Sequence, residues 1–367
     1  MLRVLDYSHS ASRLFNTFYA FEQNVDGLYD IIIIQRHSFQ DDIDIIKNLL
    51  NDDGTIIIDI TSESGCIDNF FIDYYNKIIA DNQSINFILI SEFDSSRRLN
   101  FDNVKLAIDN RLLETIFSPL YKTDSSWNDI PFNVFHKKNT ILSLNGSARL
   151  HRTLLLLHLY KNNLIDRLEY SFRCYDHSDV TEFQSTVFDR MINELKQDNL
   201  ISDNDINILL DIKKELPIII DEYDGTPNEK NVEIFNSMVN LVTENVYGYF
   251  CCGYDRPSMS ITEKALKPFM THNIPIVVAL PKTISYMRDL GYDVFDDLID
   301  HSYDNEYDEV KRMSMIIDEL KRIIDFDFVS FYIKNKQRFV KNRELVYYRS
   351  IGGYTFLRDF LIENKLF

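Results

Sequence analysis

The residues best suited to chemistry form a basic island in an acidic chain. From His136 to Arg152 the sequence reads HKKNTILSLNGSARLHR, with Lys137, Lys138, Arg149 and Arg152, two histidines and no acid. The whole chain of 367 residues carries 57 acids against 39 bases, a net charge of −18. An apolar run over 140–144 leads into Asn145-Gly146 and a leucine-rich helical stretch, so Arg149 and Arg152 fall in the first turns of a helix. The helix macrodipole already places positive partial charge there, and acids are its usual occupants. A bound anion relieves the conflict, because guanidinium groups and helix N–H groups hold it together. The window therefore predicts an anion site, with His151 beside it as a further hydrogen-bonding group. His158, set among leucines, reads as a partly buried histidine.

A second cluster runs from Ser258 to Ala279. Thr262 is a good N-cap, Glu263 suits a first helical turn, and 274–279 reads as the next buried strand. Glu263 then sits at the C-terminal edge of a sheet, where a carboxylate can accept from two adjacent ribose hydroxyls, and Lys264 or Lys267 reaches phosphate. Asp-x-Asp spacings at Asp42–Asp44, Asp203–Asp205 and Asp325–Asp327 are the kind that bridge a divalent cation to a diphosphate. All three fall in helical, solvated sequence and read as surface acids, so no metal site is expected.

The positioning elements alternate. Strands are predicted over 2–6, 30–35, 55–60, 85–91 and 104–108, with helices over 41–50 and 67–80. After a loop-like section that holds Trp127, a second series has strands over 140–144, 168–172, 217–221, 240–243 and 274–279. Its helices cover 147–162, 181–198, 203–215, 262–272 and 282–290, and 309–367 is mostly helical. The strands are apolar on both faces, as buried parallel strands are. The fold class predicted is α/β: two Rossmann-like doubly wound domains facing a cleft, residues 1–138 and 139–367. Trp127 suits acceptor stacking or a loop anchor equally.

Composition removes several classes. Ten glycines, three of them before residue 146, exclude a GxGxxG or GxxxxGK[ST] phosphate loop. Four cysteines (Cys66, Cys174, Cys251, Cys252) are too few and irregular for a disulfide framework or a zinc site, which suits a cytoplasmic setting. No apolar run approaches the roughly 18 residues of a membrane span. The acidity is spread along the chain and repels nucleic acid outside a local basic groove.

The order Val242-Thr-Glu-Asn245, a loop, Ile261-Thr-Glu-Lys264, a helix, then Ile274-Pro-Ile-Val277 resembles the donor-site region of GT-B glycosyltransferases, notably the fucosyltransferase pattern. With Asn145-Gly146, Arg149 and His151-Arg152 upstream, the set is similar to phage- and virus-encoded glycosyltransferases. The resemblance covers about 139–300. It implies that Glu263 binds the donor ribose and Lys264 the diphosphate, with Arg149 and Arg152 facing that diphosphate. Asn145, Gly146, His151, Glu244 and Thr262 complete the implied donor set. His272-Asn273 stands where a glycine is common, a departure that bears on which donor is held.

The function expected is metal-independent transfer of a sugar from a nucleotide-sugar co-substrate to a hydroxyl acceptor: a glycan, a protein, a small molecule or a modified DNA base. An inverting transfer needs a base past a strand end of the first domain. Asp6, His9, His37, Glu63 and Glu92 stand at such ends. Glu63 is preferred for its small, polar surroundings, and His37 comes second because imidazole titrates near neutrality. The rival expectation is a non-catalytic two-lobed binding protein for a phosphorylated or nucleotide ligand.

Overall fold

The computed structural model describes residues 4–6, 28–35, 45–59, 77–91, 102–108, 137–138, 140–175, 185–220, 236–245, 247–248 and 261–365. The chain divides into two compact units. The first comprises Met1–Asn128, Arg256–Ser258 and Val346–Phe367; the second comprises Asp129–Asp255 and Met259–Leu345.

In the first unit, β1 (Val4–Asp6), β2 (Tyr29–Gln35), β3 (Leu50–Asp59), β4 (Asn86–Ser91) and β5 (Val104–Ile108) form one parallel sheet. Ile33, Ile57 and Ile88 lie side by side in register. The strands are apolar on both faces because both faces are covered. Ile32, Ile34, Ile56, Ile58, Phe87 and Leu89 pack with Ile46, Ile78 and Ile79 from the helical pieces at 45–48 and 77–80. Ile31, Ile33, Ile57, Ile88 and Ile90 face the other way, onto Leu357 and Leu361 of the helix Lys336–Glu363. Ile31–Ile34 and Ile56–Ile58 are at most 1% exposed, so each contributes about 1.5–3 kcal/mol of burial.

The strand order is β1-β2-β3-β4-β5, which is sequential. A doubly wound sheet reverses direction once; among the described strands this one does not, and that corrects the expectation for the first unit. Right-handed crossovers between sequential parallel strands all pass over one face. The opposite face therefore needs separate cover, which residues of the helix Lys336–Glu363 supply. A second correction concerns β3. It begins at Leu50 rather than near Thr55 and runs through Asp52-Asp53-Gly54, with a register shift between Tyr29 and Ile31 that absorbs the polar residues.

The second unit holds β6 (Ile141–Ser147), β7 (Glu169–Tyr175), β8 (Val239–Thr243) and β9 (Ile274–Val278), all parallel, in the order β7-β6-β8-β9. Its helices are α1 (Leu150–Lys161), α2 (Ser185–Gln197), α3 (Asp203–Ile212), α4 (Glu263–Met270), α5 (Thr283–Asp289), α6 (Glu309–Ile323) and α7 (Phe328–Lys334). The helix Lys336–Glu363, α8, starts in this unit and ends in the first. The strand expected over 217–221 is instead a single antiparallel bridge between Ile218 and Phe172. Pro217 has no N–H to extend a ladder, and Ile219 is 52% exposed.

Candidate functional site

In the second sheet the chain leaves β6 for β7 on one side, then returns to β8 on the other. This is a reversal of winding, and in open α/β sheets ligands bind beyond the C-terminal ends of the two strands that flank it. Those ends carry Asn145-Gly146-Ser147 on β6 and Thr243-Glu244-Asn245 after β8, with α1 starting at Leu150.

A buried polar network ties the two strands together. Asn145 Nδ2 donates to Ser143 Oγ at 3.1 Å, and Thr243 Oγ1 donates to Asn145 Oδ1 at 2.7 Å. Arg152, 4% exposed, reaches the same hydroxyl from α1: its Nε donates to Thr243 Oγ1 at 3.0 Å. Its Nη1 donates to both Ser147 O and Ser147 Oγ at 2.9 Å, and its Nη2 to Thr243 O at 3.5 Å. Arg152 and Asn145 thus clasp β6, β8 and α1, a use of their polar groups different from the phosphate-facing role expected of them.

Glu244 is the next correction. Its side chain is fully buried, and its carboxylate accepts from Thr262 N at 2.9 Å, Thr262 Oγ1 at 2.6 Å, Ala265 N at 3.2 Å and Asn245 N at 3.3 Å. Those donors make it the internal anion at the start of α4 instead of a group facing a donor. Thr262 is the N-cap, its hydroxyl accepting from Lys264 N at 3.3 Å, as its type and place suggest. Glu263 is the first residue of α4, and its side chain lies outside the described residues. Lys264 follows, half-buried.

His151 lies between these groups, 2% exposed, with Nε2 2.9 Å from Glu244 O and its ring stacked 5.7 Å from that of Tyr247. Burial, then the charges of Arg152 and Arg149, hold its pKa well below the imidazole range; the Glu244 carbonyl opposes this, and Arg312 adds to the lowering. It is a neutral ring that donates from Nε2, which leaves Nδ1 a buried acceptor without a partner. Arg149 is the N-cap of α1 and is half-buried; its Nη1 donates to Asn245 O at 3.2 Å.

The helix starts differ in how they are filled. The start of α4 holds the Glu244 carboxylate, and that of α6 has Asp308 as N-cap and Glu309 in its first turn. The start of α1 has no capping side chain and no acid in its first turn; its N-cap is a cation. Beside it, a Cβ added at Gly146 would meet no atom of the described residues within 4 Å, so their packing does not demand glycine there.

The basic window does not form one patch. Lys137 and Lys138 precede β6 and Arg149 follows it, about 20 Å apart at roughly 3.3 Å per residue. Lys137 Nζ donates to Ser237 O, Thr271 O and Asn273 Oδ1 at 2.9, 3.0 and 2.5 Å, and burial pushes its pKa down to about 7. Lys138 pairs with Glu169 at 3.2 Å.

The remaining candidates fall elsewhere. Asp203 pairs with Lys196, and Asp205 closes a capping box with Ser202. Asp325 pairs with Arg167, and Asp327 caps α7. Among the described residues no group of histidines, cysteines and acids could hold a metal ion, and no helix is long and apolar enough to cross a membrane. His37, Glu63, Trp127 and the Asp42–Asp44 pair lie outside the described residues. A shallow cavity of about 440 Å³ is lined by Arg288, Asp297, His301 and Arg322 and by no residue of β6 or β8, and its arginines are already paired with Asp296 and Glu319. Sequence reasoning missed Thr243, Tyr247, Glu309 and Arg312. For Arg312 a signal existed: it falls on the same helical stripe as Met313, Ile316 and Leu320, all buried.

The histidines of this unit carry a pH dependence. Burial lowers the pKa of His151, His158 and His301, and takes that of His272 to about 3. Once unfolded, each takes up a proton near pH ~6.5, so below that pH the unfolded chain binds more protons than the folded one. Stability is therefore complete above that pH and is lost as pH falls through it toward the lower folded values. The melting temperature is expected to drop between about pH 6.5 and 5; a level profile over that window would show these rings protonating in place.

The chain matches no protein-family model and no curated protein sequence.

Proposed function

We propose that the second unit binds the diphosphate of a nucleotide-sugar at the start of α1, and that the chain is a glycosyltransferase passing that sugar to a hydroxyl acceptor. The observation that carries this reading is the start of α1 itself: a helix N-terminus with no acid in its first turn and no side-chain cap, with Arg149 at the N-cap position and no described atom within 4 Å of a Cβ at Gly146, at the winding reversal. Anion charge there is met by the helix dipole and a guanidinium together. The internal carboxylate Glu244 leaves α4 to contribute through Glu263 and Lys264, the pair that the GT-B resemblance assigns to ribose and phosphate. Cationic side chains then stabilise the leaving diphosphate without a divalent ion. The proton acceptor is proposed on sequence alone, Glu63 before His37.

The test is a titration of the full chain with nucleoside diphosphates and their sugars, followed by heat unfolding. A true ligand at about 100 times its dissociation constant adds about 2.7 kcal/mol of stability. Arg149→Ala is expected to weaken that binding by roughly 10- to 100-fold, the loss of one charge-assisted contact of about 1.5–3 kcal/mol. Affinity held within twofold would remove Arg149 from the site. Slow release of free sugar from the donor separates a transferase from a binding protein, which leaves its ligand intact.

A further inference from the structure

We propose that Arg312 is a positioning residue: it holds the loop after β8 in the one shape that aligns Arg149 and His151 at the start of α1. The inference rests on reading that place as an anion site. Three carbonyls of residues 244–247 each take a side-chain donor. His151 Nε2 is 2.9 Å from Glu244 O, Arg149 Nη1 donates to Asn245 O at 3.2 Å, and Arg312 Nη2 donates to Tyr247 O across 65 positions of sequence. Two of those donors come from the start of α1; the third comes from α6.

The tie to α6 is multiple. Arg312 Nη1 donates to Glu306 O at 2.7 Å, and its guanidinium lies 4.2 Å over the Tyr247 ring. Tyr247 OH donates to Glu309 O at 2.7 Å. The Glu309 carboxylate lies against Gly248, in the space a side chain there would fill. The same Tyr247 ring stacks on His151. A displacement of Tyr247 is therefore passed to His151 by ring contact, and Arg149 holds the carbonyl of Asn245, two positions before Tyr247.

The folded state retains costs here that an apolar cluster would avoid. Arg312 is 1% exposed and its Nε has no partner, and neither has His151 Nδ1. Buried polar groups left unpaired are costly, and well-packed apolar residues commonly replace them at no loss of stability. What an apolar residue cannot do is grip two carbonyls with one rigid fork.

The experiment compares the full-length wild-type chain with Arg312→Lys, which keeps the charge and loses the fork. The probe is inorganic pyrophosphate, titrated calorimetrically at a temperature where circular dichroism shows both proteins fully folded. Positioning predicts about tenfold weaker binding for Arg312→Lys, equivalent to one lost hydrogen bond. It also predicts that ¹⁵N imidazole spectra of the ligand-free protein change from one fixed His151 tautomer, protonated at Nε2, to an exchanging mixture. A merely structural arginine would lower the melting temperature and leave both readouts as in wild type, and that result overturns the proposal. Weaker binding with an unchanged His151 spectrum overturns it as well. If Arg149→Ala loses pyrophosphate while Arg312→Lys keeps it, the anion site stands and the role of Arg312 falls; if the wild type binds none, both fall. Should Arg312→Lys fail to fold, Tyr247→Phe decides, because it keeps the ring and cuts the bond to Glu309 O: a loss of about threefold or more supports positioning and wild-type affinity overturns it.

Discussion

Arg152→Met is expected to lower the unfolding free energy by about 4 kcal/mol. Methionine fills most of the volume, so the loss is not chiefly a cavity. It comes from acceptors left behind: Thr243 Oγ1, Thr243 O, Ser147 O and Ser147 Oγ all accept hydrogen bonds from this one guanidinium. Each buried acceptor stripped of its donor costs about 1–3 kcal/mol; the two on Thr243 are buried, the two on Ser147 partly so and cost less. Urea unfolding should show the midpoint falling with the slope unchanged, the signature of a stability effect in an unaltered fold. If instead the midpoint stays put and only pyrophosphate affinity falls, Arg152 is a ligand-facing group and the clasp between β6 and β8 is not what it provides.

Glu244→Gln is expected to cost about 3 kcal/mol, again in stability. The carboxylate accepts four hydrogen bonds from Thr262 N, Thr262 Oγ1, Ala265 N and Asn245 N. Glutamine offers one acceptor oxygen and turns an NH2 group toward donors, so buried N–H groups at the start of α4 go unpaired. Loss of the negative charge at that helix end adds up to ~2 kcal/mol in a buried setting. Hydrogen exchange should then accelerate at Ala265 and Lys264 before the rest of the unit. Slow exchange there, with ligand binding abolished, would return Glu244 to the ligand.

The parallel strands were legible because burial on both faces leaves no room for polar residues: Ile31–Ile34 is a run that only a two-sided environment accepts. Thr262 was legible because an N-cap is a local event between a side chain and its own next turn. The direction of Arg149 and Arg152 was not. They are three positions apart on one helix start and identical in type, and Arg152 turns inward because Thr243, 91 positions away, waits there. Glu244 hid for the same reason, since three of the four donors named for it, on Thr262 and Ala265, are 18 to 21 positions on. Strand order is a further non-local property. Two series of alternating β and α segments look alike in sequence, yet the first sheet winds in one direction and the second reverses.

That one-directional winding sets a timetable for synthesis. The face of the first sheet formed by Ile31, Ile33, Ile57, Ile88 and Ile90 is closed by Leu357 and Leu361. β5 ends at residue 108, so the ribosome must add about 250 further residues before Leu357 exists. At about 5–20 residues per second this takes roughly 12–50 seconds. During that interval this face of the nascent first unit lacks the cover that Leu357 and Leu361 provide in the finished chain. Its folding is thus completed only after the second unit has been made, although its strands come first.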